Sequence, residues 1–133
     1  MVFAARFLSG KGMGGMKMAG IQIFGTKKCR DSRRAQRFFK ERGIPFQWLE
    51  LTERPLSRGE LESILRAAGP LEALLDEKNK NYCMIRYLTP AGQTEKLLED
   101  STYLKTPIVR CGAAAAVGVN EVFWRELAGR AKQ

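Results

Sequence analysis

Apolar and polar positions alternate over Ile21-Gln22-Ile23-Phe24, and Gly25-Thr26 follows, which predicts a first strand running into a loop. From Arg30 to Arg42 the period changes. Ala35, Phe38 and Phe39 recur at helical spacing, while Arg33, Arg34, Arg37 and Lys40 fall elsewhere. Gly43 then supplies a left-handed cap and Pro45 prevents continuation, so a helix ends there and Cys29 stands at its start. Phe46 to Leu51, rich in aromatic and apolar residues, predicts a second strand. Ser57 and Glu60 form a capping box ahead of Leu61, Ile64, Leu65 and Ala68, and Gly69-Pro70 closes that helix, with Leu71 to Leu75 as one more turn. The pattern weakens from Asp76 to Tyr103, where Thr89-Pro90 opens a helix over Leu97-Leu98; this region reads as a helical insertion. Pro107 to Arg110 and Ala114 to Val119 predict a terminal hairpin, and Asn120 caps a last helix carrying Val122, Phe123 and Leu127. A right-handed crossover makes the first two strands parallel, and the hairpin adds antiparallel ones. Pattern alone therefore gives a small mixed sheet, α/β or α+β.

A length of 133 residues, 44% of them hydrophobic and 28% charged, fits one globular domain, predicted over residues 21–130. Residues 1–20 read as a flexible leader: Arg6, Lys11 and Lys17 have no acidic counterpart, and Gly12, Gly14 and Gly15 interrupt any apolar face. Met16 and Met18 are alternative initiators. No apolar run approaches the roughly 18–20 residues a membrane-spanning helix needs, so no membrane partner is expected.

The chain has no histidine. That excludes a Ser-His-Asp triad, a Cys-His pair and every zinc site that needs imidazole, since each requires that ring as base or ligand. The three cysteines cannot close a four-thiolate tetrahedron, so no metal is expected. Cys29, Cys83 and Cys111 are odd in number and widely spaced, a poor disulfide framework that points to a reducing, cytoplasmic setting.

The net charge of +9 is unevenly placed: residues 1–20 carry +3, residues 21–42 carry +6, and the rest balances. A positive field thus surrounds Cys29, through Lys27, Lys28, Arg30, Arg33, Arg34, Arg37, Lys40 and Arg42. As a solvated helix face it needs no function; as an anion-attracting neighbourhood it suits a small oxyanion or an acidic partner. No aromatic-interleaved basic groove accompanies the charge, which argues against nucleic acid.

Cys29-Arg30-Asp31-Ser32-Arg33 is where strand, loop and helix meet. A thiol at a helix N-terminus faces unpaired N–H groups and the positive end of the macrodipole, both of which favour the thiolate. Arg33 is one turn on, within reach of the same sulfur or of an anion beside it. The expectation is a thiol whose pKa lies well below that of free cysteine. Ser32 occupies the position where a second thiol would close an internal disulfide, so a monothiol reaction is expected, with an external thiol resolving the intermediate. Cys83 and Cys111 lie beside apolar neighbours and are expected to be structural.

The segment Ile23-Phe24-Gly25-Thr26-Lys27-Lys28-Cys29-Arg30-Asp31-Ser32-Arg33 resembles the active-site stretch of the glutaredoxin-linked arsenate reductases and their relatives, whose hallmark is Cys-x-x-Ser-Arg at a helix start; the family also contains Spx-type regulators. Gly43-Ile44-Pro45-Phe46, Pro55-Leu56-Ser57, Leu74-Leu75, Lys80-Asn81-Tyr82, Pro107-Ile108-Val109, Val117-Gly118 and Phe123-Trp124 follow in the same order. The resemblance implies a thioredoxin-like mixed four-stranded sheet with a helical insertion. It also implies Cys29, Ser32 and Arg33 as catalytic residues, Pro107 as a cis-proline facing the sulfur, and Lys28, Arg30, Thr106 and Pro107 as substrate-binding residues. No bound cofactor is expected; glutathione or a glutaredoxin is implied as co-substrate and partner, and a small anionic or disulfide compound as substrate. Asp76 and Thr106 stand where arsenate-reducing members place arginines that grip tetrahedral oxyanions. The reaction class survives that departure; arsenate as its substrate is put in question. The alternative is an Spx-like regulator that binds RNA polymerase without catalysis, against which Ser32 removes the usual two-cysteine switch.

Overall fold

The computed structural model describes residues 20–131; the leader expected over residues 1–20 lies outside them except for Gly20. Four strands, β1 (Ile21–Gly25), β2 (Gln47–Glu50), β3 (Ile108–Cys111) and β4 (Ala114–Val117), form one sheet in the order β2-β1-β3-β4. β1 and β2 run parallel, and β1–β3 and β3–β4 are antiparallel, as the crossover and hairpin require. The helices are α1 (Arg30–Glu41), α2 (Arg58–Ala68), α3 (Leu71–Leu74), α4 (Pro90–Glu99) and α5 (Glu121–Ala131), with single 3-10 turns at Tyr82–Met84 and Ser101–Tyr103.

Period-two alternation in the two central strands divides the core. Ile21 and Ile23 of β1, with Val109 and Cys111 of β3, meet Ala35 and Phe39 of α1 and Trp124, Leu127 and Ala128 of α5. Phe24 and Ile108 point the other way and pack with Leu61 and Ile64 of α2 and with Leu74, Leu75, Ile85, Leu97 and Leu104 of the insertion. An antiparallel bridge, Leu75 to Leu104, ties the start of the insertion to its end. The local signals act as the sequence predicts. Gly43 has φ +68°. Ser57 Oγ accepts from the Glu60 amide at 3.2 Å while Glu60 Oε1 accepts from the Ser57 amide at 2.9 Å, and Asn120 Oδ1 accepts from the Phe123 amide at 3.0 Å.

This topology places the C-terminal ends of β1 and β2, the N-terminus of α1 and the segment entering β3 at one edge of the sheet. Arg110 is buried at the opposite end, paired in register with Gln22. Cys83, expected to be a buried structural residue, is exposed in the single turn Tyr82–Met84, which is too short to present a covered face.

Candidate active site

Cys29 is the N-cap of α1, with extended φ and ψ of −83° and 120°, and its carbonyl accepts the first helical bond from the Arg33 amide at 3.1 Å. The preceding loop is a tight turn closed by the Cys29 amide on the Thr26 carbonyl at 3.0 Å. Across from it, the peptide bond between Thr106 and Pro107 is cis, as the resemblance implies. The Thr106 hydroxyl donates to Cys29 Sγ at 3.0 Å, and the Thr106 carbonyl lies 3.9 Å from the same sulfur. Residues 77 apart in sequence thus meet at the thiol.

Burial of the half-exposed sulfur works against its charged form. It is outweighed by the Ser32 and Thr106 hydroxyls and by the Ser32 and Asp31 amides, so the thiol titrates below its ordinary value. The helix-start contacts are looser than the Thr106 bond: no cap hydrogen bond of ordinary geometry closes at Cys29, and Ser32 Oγ, fully buried, completes none. The Thr106 hydroxyl, at 3.0 Å, closes a hydrogen bond on the sulfur, and Ser32 and the two amides act on it electrostatically.

The expectation that cations hold the thiolate is corrected in its cause. Lys27, Lys28, Arg30 and Arg33 are exposed, and none of their side chains makes a hydrogen bond or ion pair among the described residues. A solvated cation on a free side chain interacts weakly with a sulfur several ångströms away, whereas a hydroxyl fixed at 3.0 Å does not. Arg34 is committed elsewhere, to an ion pair with Glu121 of α5. Lys105 is exposed, and its amide donates to the Leu74 carbonyl at 2.8 Å.

The two positions that depart from the arsenate-reducing pattern have local roles. Thr106 is the hydroxyl donor just described. Asp76 caps its own loop: Oδ1 accepts from the Lys78 amide at 3.0 Å, and its backbone amide donates to the Tyr103 carbonyl at 2.9 Å. Neither supplies a guanidinium fork. No group of three His, Cys, Asp or Glu side chains among the described residues is arranged to hold a metal ion.

Two residues that support the loop escape a reading of the sequence. Glu50 ends β2 at 8% exposure and accepts from the Lys27 amide. Gly25, its partner in the ladder, leaves room for Ser32: a Cβ there would stand 2.3 Å from Ser32 Oγ and 3.1 Å from the Trp48 ring. The available signals were an acid ending an otherwise apolar strand and a glycine at a strand's close.

Residues 21–69 match the glutaredoxin family model. No curated protein matches the sequence. Among solved structures, the arsenate reductase from Vibrio cholerae is 21% identical with a TM-score of 0.72, the match covering 83% of this chain and 98% of that one. An ArsC family related protein from Bacteroides fragilis is 16% identical with a TM-score of 0.71, over 81% of this chain and 98% of that one. An arsenate reductase related protein from Brucella melitensis is 20% identical with a TM-score of 0.61, over 86% and 97% respectively. The fold is thioredoxin-like, a mixed four-stranded sheet with helices on both faces and a helical insertion, and its structural neighbours include an arsenate reductase and ArsC-related proteins.

Proposed function

We propose that this chain is a monothiol oxidoreductase whose nucleophile is the Cys29 thiolate and whose intermediate is resolved by an external thiol, glutathione or a glutaredoxin. The observation that carries the reading is the Thr106 hydroxyl donating at 3.0 Å to a sulfur whose pKa is lowered at a helix start. The thiolate is the attacking species in thiol–disulfide exchange, and a lowered pKa raises its share at a given pH. With a glutathione mixed disulfide as substrate, Cys29 attacks the glutathione sulfur, the substrate leaves as its thiolate, and Cys29 is left bonded to glutathione. A second glutathione attacks that bond, regenerating the Cys29 thiolate and releasing glutathione disulfide. Ser32, in place of a second thiol, leaves the external thiol as the route out of the intermediate.

In this reading Lys28, Arg30 and Arg33 attract the carboxylates of glutathione from solvent, and Thr106 and Pro107 form the opposing wall. Disulfides are favoured over arsenate as substrates, because Asp76 is committed to its own loop and Thr106 carries no positive charge. A reducing cytoplasmic setting, where glutathione is the available thiol, suits the reaction. No helix of the described residues is long and apolar enough to cross a membrane.

Peptide mapping by mass spectrometry after brief exposure to glutathione disulfide at pH 6 tests the proposal. The adduct is expected first on Cys29, ahead of exposed Cys83, and turnover of a glutathione mixed disulfide is expected to drop to background in Cys29→Ser. Equal labelling of both cysteines, or recovery of RNA polymerase in a pull-down from a chain that transfers no thiol, would overturn it.

A further inference from the structure

Glu50 is a buried carboxylate whose bonding lies largely on the nucleophile's own loop. Its oxygens accept from the Lys27 amide at 3.1 and 3.4 Å, and Oε2 also accepts from the Thr52 hydroxyl at 2.7 Å. No ion pair compensates it among the described residues. A carboxylate removed from water and bound only by neutral donors is costly, and an apolar residue at the end of an edge strand would avoid that cost. What the carboxylate does there is fix a backbone. Lys27 is the second residue of the turn that the Cys29 amide closes on Thr26, so tethering its amide restrains the whole turn. The next residue reinforces the same point, since the Leu51 amide donates to the Gly25 carbonyl at 2.9 Å.

We infer that Glu50 is a positioning residue for Cys29: by anchoring the Lys27 amide it holds the turn from Thr26 to Cys29 so that the sulfur stays between the start of α1 and the Thr106 hydroxyl. The inference rests on the proposed role of Cys29 as nucleophile. It concerns where the sulfur is kept, independently of which disulfide it attacks. A hydrogen bond at 3.0 Å weakens steeply with misalignment, so a loop freed by even about 1 Å would lose the donor.

Alkylation of the full chain by iodoacetamide, followed per cysteine by peptide mapping across a pH series, reads the sulfur without any disulfide substrate. In Glu50→Ala the midpoint of the Cys29 profile is expected to move up and the rate at pH 7 to fall by about three- to tenfold, with hydrogen exchange at the Lys27 amide accelerated and buried Cys111 still protected. Glu50→Gln keeps an acceptor for that amide and is expected to hold the midpoint at or below the wild-type position. If the acid acted only through its charge, both variants would lower the midpoint, and that result would overturn the inference. So would an unmoved midpoint in Glu50→Ala once Lys27 exchange has accelerated. Should Glu50→Ala fail to fold, Thr52→Val, which removes one donor to the carboxylate, is expected to move the midpoint up by a smaller amount, and an unchanged profile there would overturn it. Because no disulfide is involved, a chain that alkylates as expected but forms no glutathione adduct would defeat the proposed function and leave the role of Glu50 standing.

Discussion

The central sheet has a cysteine near each end, and the two thiols are driven in opposite directions. Cys29 follows the C-terminal end of β1, whereas Cys111 ends β3 opposite Ile21, at the other end of the same strand. Burial disfavours the thiolate at both. At Cys111 it prevails over the favourable charge of Arg130, and the thiol titrates above its ordinary value. At Cys29 two hydroxyls and two amides overcome it. A guanidinium in the neighbourhood is therefore not enough here to hold a thiol below its ordinary value against burial; at Cys29 the hydroxyls and amides do so.

The contrast breaks most completely if the reactive end loses the space that lets its parts meet. Gly25 lies under Ser32, and any Cβ would come 2.3 Å from Oγ and 2.8 Å from Cβ of that serine. Ser32 Cβ is fixed to the backbone of α1, so α1 has to shift to admit the methyl group. Gly25→Ala is expected to cost about 1–3 kcal/mol of stability, the usual range for overpacking, measurable as a lowered midpoint in urea. Because the shift displaces the start of α1, Cys29 is expected to alkylate more slowly at pH 7 as well, while Cys111 stays protected.

A smaller and cleaner change removes one donor and no volume. Thr106→Val keeps the side chain's shape but takes away the hydroxyl at 3.0 Å. A hydrogen bond to a charged but half-exposed sulfur contributes about 1 kcal/mol after solvent screening, so alkylation of Cys29 at pH 7 is expected to slow by about fivefold. Thr106→Ser retains a donor and should recover most of the rate. If Thr106→Val leaves the rate untouched, the thiolate owes its stability to Ser32 and the helix-start amides or to the cations, and only the cations would reverse the lesson of the two cysteines.

These residues also mark how far the sequence reaches. The elements are legible because their signals are local: the Ser57 and Glu60 box, the Asn120 cap and the left-handed Gly43 each act within a few residues. The place of Cys29 at the start of α1 is local in the same way. The origin of its lowered pKa is local only in part, through Ser32 and Asp31. Thr106 reaches the sulfur only because β3 pairs with β1, and Glu50 reaches the loop only because β2 does. Charge counted along the chain suggested Arg33 and its neighbours, but a count does not say which way a side chain leaves a helix, and Arg33 leaves toward solvent. Cys83 is exposed for a related reason: apolar neighbours in sequence imply burial only where a helix or strand gives them a common face, and one 3-10 turn does not.

The finest test of the comparison is the pH dependence of stability, where the two thiols act with opposite signs. Cys29 is more acidic folded than unfolded. Its contribution is complete above the ordinary cysteine range and is lost as pH falls through its lowered folded value. Cys111 is less acidic folded than unfolded. Its contribution is complete below the ordinary range and is lost as pH rises toward its raised folded value. Below the ordinary cysteine range Cys29 therefore makes stability rise with pH, and above that range Cys111 makes it fall. Cys111→Ala is expected to remove the alkaline decline while leaving the rise that precedes it, at a cost of about 1 kcal/mol or less for so small a truncation. Cys29→Ala should do the converse. Urea midpoints at several pH values in both variants would show it. Parallel profiles for the two variants would mean that donors at Cys29 do not set it apart from the buried thiol at the other end of the sheet.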